Sequence, residues 1–242
     1  MMQVDVLAFG PHPDDVELTM GGTILKLASM GYRIGIVDLT AGEMGTRGSR
    51  EERAQEACEA AKLLKAVVRK NLDLGDGRLA VNATGKKAVV EAIREFKPRL
   101  VFTNYWDNAH PDHSASGVLV GEAAYLAGLT RYEAEGEPFR PNRVIYYLLP
   151  HRVPPSFVVD ISDFYEEKMR AVKAYRSQLH DSNSEEPATT ISQPGFLRRI
   201  ESKLRYYGLL IDADYGEPFF VREALKVDDP IALFDRPFTR FA

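Results

Sequence analysis

A chain of 242 residues, 45% hydrophobic and 27% charged, has the make-up of a globular protein and the length of one large α/β domain. Its net charge of −4, with both signs mixed along the chain, argues against a nucleic-acid binder, which would carry a basic excess. The lone Cys58 cannot form an internal disulfide, and no stretch approaches the roughly 20 uninterrupted apolar residues of a membrane span. The N-terminus lacks the cationic start, long apolar stretch and small-residue cleavage site of a signal peptide, so a soluble, cytoplasmic protein with no membrane partner is expected.

The run from Val4 to Gly10 reads as a buried strand, and Pro11-His12-Pro13-Asp14-Asp15 follows it directly. Val16, Met20, Ile24 and Leu27 then recur at helical spacing, with Gly31 placed to close that helix in a left-handed cap. Arg33 to Thr40 reads as a second buried strand. Ser49 and Glu52 form a capping box that opens the next helix. Its inner face is expected to carry Ala54, Ala57, Cys58, Ala61 and Leu64, which makes Cys58 a small core residue. Leu72 to Leu74 is a short strand candidate. Val89, Ile93 and Phe96 mark a helix stopped by Pro98, and the strand Leu100 to Asn104 delivers His110-Pro111-Asp112-His113. Strands alternating with helices in this way predict an α/β fold, a Rossmann-like, mostly parallel sheet with helices on both faces.

Further on, Val144 to Leu149 and Phe157 to Ile161 read as strands, and Ser162 is placed to cap a helix through Met169, Val172 and Leu179. Asp181 to Gln193 is polar and reads as an exposed loop, and another helix runs from about Phe196 to Tyr207. No linker or repeat interrupts the chain. The expectation is a single domain over 1–242, with a core over about 1–160 and a C-terminal extension over about 161–242.

The two His/Asp fragments hold three of the five histidines and sit on loops at matching ends of two strands. In an open parallel sheet that is where ligands bind. Either fragment alone has an ordinary explanation, since aspartates favour helix starts and loop histidines are often simply solvated. Together they offer imidazole and carboxylate for a divalent metal. His12 and Asp15 are three apart across a turn stiffened by Pro11 and Pro13, so both can face one ion, while Asp14 between them points elsewhere and is free for proton transfer. His113 opens a helix and His110 stays on the loop. A His-Asp-His set plus water gives a four-coordinate catalytic site, suited to zinc and also to ferrous iron.

His-Pro-Asp-Asp after an N-terminal strand, with His-Pro-Asp-His about one hundred residues later, resembles the LmbE/PIG-L superfamily of metal-dependent N-acetylglucosamine deacetylases. The resemblance covers essentially the whole chain and implies an LmbE-like fold. It implies that His12, Asp15 and His113 bind the metal and that Asp14 is the general base. It further implies that His110 is protonated and stabilises the oxyanion, with Asp112 orienting it. The segment Ala41 to Gly48 and Arg53 resemble the family's sugar-binding segment. Phe157 to Ser162 and Tyr175 to Gln178 resemble the bacillithiol-biosynthesis branch, whose substrate is N-acetylglucosaminyl-malate and whose members tend to form hexamers. A homo-oligomer is therefore expected. Two positions depart from related branches: Ala109 stands where many bacillithiol-branch members have arginine, and Asn108 where mycothiol-branch relatives have tyrosine.

Substrate contacts are expected from Glu43, Arg47 and Arg53, with Arg53 favoured, Arg47 the second choice for an aglycone and Arg50 the weakest. His151 and His180 read as exposed ends of elements, and Tyr105 and Trp106 as pocket wall or core. No Gly-x-Gly-x-x-Gly follows the first strand, which argues against dinucleotide binding. The reading is a metal-dependent amidohydrolase acting on a small amino-sugar conjugate, N-acetylglucosaminyl-malate first. The rivals are the same chemistry on a chitin fragment or thiol conjugate, and a non-catalytic sugar- or metal-binding protein.

Overall fold

Val6, Leu7, Ala8 and Phe9 show no alternation of apolar and polar residues, the pattern of a strand covered on both faces. They form β1 (Val6–Gly10), which is buried throughout and lies at the centre of a five-stranded parallel sheet. The computed structural model describes residues 3–235. On one side β1 pairs with β2 (Ile34–Asp38), which pairs with the edge strand β3 (Val68–Asn71). On the other it pairs with β4 (Leu100–Asn104), which pairs with the edge strand β5 (Arg143–Tyr147). The strand order β3-β2-β1-β4-β5 reverses direction between β1 and β4, so the loops leaving their carboxyl ends diverge and open a crevice. Both His/Asp motifs stand on those two loops.

One face of the sheet is covered by α1 (Asp15–Ser29), through Val16, Met20 and Ile24, and by Leu64 just past α2 (Arg50–Leu63). The other is covered by α3 (Ala83–Phe96) and α4 (Pro111–Leu126), through Val89, Ile93, Leu119 and Val120. The expected parallel sheet with helices on both faces is therefore present. The capping box of Ser49 and Glu52 also forms, with both hydrogen bonds in place.

Three local expectations are corrected. Cys58 is exposed, and the buried face of α2 is Arg53, Glu56, Ala57, Ala60 and Ala61. The apolar pattern misplaces that face because two polar side chains are buried in partnerships. Glu56 accepts the Ser177 N–H and hydroxyl at 2.7 Å each, and Arg53 reaches Asp14. The edge strand is Val68–Asn71 rather than Leu72 to Leu74. It looks polar because Arg69 feeds both carboxylate oxygens of Asp38 at 2.7 and 2.8 Å, whereas Leu72 and Leu74 pack on the core from the following loop. After β6 (Phe157–Asp160) comes a 3-10 turn at Ser162–Phe164, then α5 (Tyr165–Lys173), which stops well short of Leu179. Ser162 does not cap α5. Its N–H and hydroxyl both donate to Asp160 at 2.9 and 2.7 Å, so the carboxylate fixes this turn.

The remainder is built around a second, two-stranded sheet. There β6 runs antiparallel to β7 (Gly216–Phe219), which follows α6 (Phe196–Leu209), and a bridge from Tyr146 to Phe220 joins this layer to the β5 edge. A short α7 (Pro230–Phe234) ends the described chain, and no helix among the described residues is long and apolar enough to cross a membrane. α5 packs against α1 and α2, so the C-terminal residues back the helix that carries the first motif.

Candidate active site

The loop from Pro11 to Asp14 leaves β1 and turns straight into α1. Asp14 takes a left-handed backbone, φ 115° and ψ −28°, which is uncommon for a residue with a side chain and tends to be stored at functional positions. This turns Asp14 away from its neighbours. Asp15 stays with His12, whose Nδ1 lies 3.1 Å from Asp15 Oδ2. On the second loop His110 caps α4, accepting the Asp112 N–H at Nδ1 (3.2 Å), with Pro111 at the first helical position where its missing N–H costs nothing. His113, in the first turn, places Nε2 3.3 Å from Asp15 Oδ1. Two imidazoles from different loops thus converge on the two oxygens of one carboxylate.

His12, Asp15 and His113 offer ligand atoms that all lie within 4.8 Å of one another, and the donor types suit a borderline dication. Nδ1 of His113 is buried with no hydrogen-bond partner, so this ring lacks the full set of contacts that normally satisfies a buried histidine. The far nitrogen of His12 is held from behind, Nε2 lying 3.1 Å from Asp76 Oδ1 and 3.3 Å from Asp112 Oδ2, as carboxylates commonly orient a ligating imidazole. Burial would lower the His12 pKa, but the hydrogen bonds of Asp15 and Asp76 and the charges of Asp15 and Asp14 push it up to about 11. The local excess of carboxylate is of the kind a dication balances. A second group, His12, His110 and Asp112, is as closely set. Its carboxylate is already engaged, since Asp112 accepts the Gly77 and Leu79 N–H groups at 2.7 and 3.2 Å, and the first group is the better metal site.

Beside this group, Asp14 Oδ2 receives Arg53 Nη2 at 3.1 Å. Burial pushes the Asp14 carboxyl up to about 7, with the Arg53 charge pulling against it and the Asp15 charge adding to it. A carboxylate in that range can take a proton near neutral pH. Exchanging Arg53 for methionine removes that downward pull, so the acid limb of the kcat/KM–pH profile is expected to move to higher pH. A limb that stays in place would show that Asp14 is not the group titrating there. The His110 ring lies 4.9 Å from that of His12 and 4.8 Å from that of His113, and it is exposed. Burial and the neighbouring His113 and His12 charges lower its pKa, against the pull of Asp112. Asp112 is buried, and its carboxylate bonds to the loop after β3 and to His12, so that only its backbone N–H meets the His110 ring.

A cavity of about 540 Å³ opens over these residues. Arg53 lines it, though its guanidinium is engaged by Pro13 O (2.6 Å), Gly42 O (3.5 Å) and Asp14, with Nε buried and unpartnered. The backbone of Gly42, at φ +67°, passes so close that a Cβ would strike Arg53 at 2.6 Å. Glu43 and Arg47 do not line the cavity. Glu43 accepts the Asp76 N–H at 2.7 Å, and buried Arg47 donates to Ser177 O at 3.1 Å. Arg50 pairs with Asp73 at the surface, His151 and His180 are exposed, and Tyr105 and Trp106 stack on each other outside the cavity. Sequence reasoning missed Asp76, which looks like an ordinary turn residue between Gly75 and Gly77. It also missed the wall formed by Thr189, Thr190 and Ile191. The segment from Asp181 to Gln193 is largely exposed, as expected, but Glu186 ties it to the Gly48 N–H (3.1 Å) and His180 Nδ1 lies 3.2 Å from Ser192 O.

Residues 7–124 match the family model described as PIG-L, GlcNAc-PI de-N-acetylase. The diacetylchitobiose deacetylase of Thermococcus kodakarensis is 33% identical over 227 residues, covering 88% of this chain and 80% of that protein. A Bacillus anthracis protein described as a probable N-acetyl-alpha-D-glucosaminyl L-malate deacetylase 2 is 29% identical over 191 residues, covering 72% and 81%. Among solved structures, the conserved protein TT1542 from Thermus thermophilus superposes with a TM-score of 0.85 at 39% identity, covering 93% of this chain and 98% of that one.

Proposed function

The chain belongs to the PIG-L family of de-N-acetylases, and on that footing we propose that it removes the acetyl group from the nitrogen of an N-acetylglucosamine conjugate, with one zinc ion held by His12, Asp15 and His113. The observation that carries the reading is Asp14, a buried carboxylate with its pKa near neutrality, pinned by Arg53 beside the His-Asp-His group. A dication there would acidify water and polarise an amide carbonyl.

The protein's own groups complete the chemistry. Asp14 takes the proton of the attacking water at its carboxylate, and Arg53 keeps that carboxylate in place. His110, exposed at the cavity mouth, donates an Nε2–H hydrogen bond to the charge that develops on the acetyl oxygen, and the proton that Asp14 took from water passes to the departing amine. Asp112 acts one step back, clamping the loop after β3 through the Gly77 and Leu79 N–H groups and holding His12. Asp76, which lines the cavity with its N–H fixed by Glu43, holds His12 through Oδ1 and the Met44 N–H through Oδ2.

The aglycone is read from the cavity walls. A malate conjugate brings two carboxylates, which call for free cationic forks. Among the described residues Arg53 is the one arginine or lysine lining the cavity and is already engaged, Arg47 lies outside the lining, and Ala109 adds no charge. Thr46, Gln178, Thr189 and Thr190 supply neutral polar groups, beside apolar Met44 and Ile191. That lining favours a neutral N-acetylglucosaminide, as in a chitin fragment. The malate conjugate is the second reading, supported by the Bacillus relative. Catalytic efficiency compared on diacetylchitobiose and on N-acetylglucosaminyl-malate tests the two. The neutral substrate is expected to lead by at least about tenfold, or roughly 1.4 kcal/mol of differential transition-state binding. A lead for the malate conjugate overturns the neutral reading, and no hydrolysis of any N-acetylglucosaminide overturns the deacetylase assignment itself.

A further inference from the structure

The apolar spacing of Val16, Met20, Ile24 and Leu27 suggests one uninterrupted helix, yet α1 is broken. Met20 has φ −135° and ψ 16°, outside the helical range, and divides the helix into a short first part carrying Asp15 and a longer second part packed on the sheet. Such a break strands carbonyls at the end of the first part and N–H groups at the start of the second. A single ion pair from the C-terminal part of the chain takes both. Glu217, in β7, accepts the Gly22 N–H at 3.0 Å and the Thr23 N–H at 2.7 Å. Lys168, in α5, donates to Leu18 O at 2.9 Å and to Glu217 at 2.6 Å. The carboxylate meets the positive end of the second part, and the ammonium the negative end of the first.

Both side chains are 0% exposed. A fully buried ion pair is a poor way to gain stability, because desolvation offsets its attraction and an apolar pair of similar volume serves as well. It does fix geometry. The Leu18 residue that Lys168 holds by its carbonyl donates its own N–H to Asp14 O at 2.9 Å, one turn away. The ammonium stem also lies against bare backbone, since a Cβ on Gly21 would meet Lys168 Cγ at 3.3 Å.

We propose that the Lys168–Glu217 pair is a positioning device for the reaction: it holds the break in α1 open and so sets the orientation of the turn that presents Asp14 and Asp15. Both residues lie outside the stretch that matches the family model, residues 7–124. The proposal rests on the deacetylase reading for its catalytic consequence, though not for its structural one.

The test uses the full chain with Lys168→Met and Glu217→Gln combined. This variant keeps one acceptor oxygen beside the Gly22 and Thr23 N–H groups, leaves no unpaired buried charge, and removes the donor to Leu18. Lys168→Met alone, in which Glu217 keeps the Gly22 and Thr23 N–H groups, serves as the second variant should the first not fold. Hydrogen exchange over 14–19 is expected to rise at least about tenfold while the 24–29 half of α1 is unchanged. Zinc affinity, measured by competition with a chromophoric chelator, is expected to weaken by about 10–100-fold. For the preferred substrate kcat should fall at least as far as zinc affinity, with KM nearly constant at saturating zinc. Faster exchange spread evenly along α1, or native exchange over 14–19 in a folded variant, overturns the proposal. A wild type inactive on every N-acetylglucosaminide defeats the functional reading alone, because the exchange result is still read.

Discussion

Turnover by the Asp14→Asn variant is expected to fall by about 10²–10⁴-fold, the loss that follows removal of a positioned proton acceptor. Asparagine keeps the size and one acceptor oxygen, so Arg53 retains a partner and the left-handed backbone at position 14 stays tolerable. Metal content should be unchanged, since Asp14 is not one of the residues converging on Asp15. The pH profile supplies the sign. The Asp14 carboxyl is pushed up to about 7 by burial, Arg53 opposing, so the base is competent above that value and protonated below it. A dication alongside would lower the value further, which puts the acid limb of kcat/KM at or below pH 7. That limb should be absent from the residual activity of the variant. Near-native turnover with metal retained would transfer the role to another carboxylate.

His113→Ala is expected to remove the metal and the reaction together. His113 supplies one of two imidazoles that bracket Asp15, and its Nδ1 has no hydrogen-bond partner to give the ring a separate structural purpose. Without it His12 and Asp15 remain, two groups where a catalytic site needs three. Metal affinity should drop by well over about 100-fold, more than outer-sphere substitutions cause. Metal analysis of the purified variant, followed by a deacetylation assay with excess zinc, separates weakened binding from lost chemistry. Full metal content in that variant sinks the ligand assignment. The control is His110→Ala, which should keep its metal.

Much of this was legible in the sequence, for physical reasons that differ along the chain. β1, β2 and β4 lie inside the sheet and must be apolar on both faces, so their runs stand out. The capping box at Ser49 and the stop at Pro98 are local chemistry and need no tertiary knowledge. β3 was displaced because an edge strand is free to be polar, and Arg69 there serves Asp38 and Glu17. The face of α2 was turned because buried Arg53 and Glu56 look like solvent-facing residues until their partners are known. Those partners, Asp14 and Ser177, are distant in sequence. The His/Asp groups could be gathered onto neighbouring loops from strand ends alone. Asp76 could not, because an aspartate between two glycines carries no mark that separates a turn from a site.

The walls of the cavity have a different origin from its floor. The groups proposed to react stand on the turns after β1 and β4, whereas Thr189, Thr190 and Ile191 belong to a long surface segment fastened by Glu186 and Ser192. Substitutions or length changes in that segment reshape what the cavity admits without touching the atoms proposed to cleave the amide. A lineage can therefore exchange one acetylated sugar for another by remodelling a single loop, and inherit the chemistry intact.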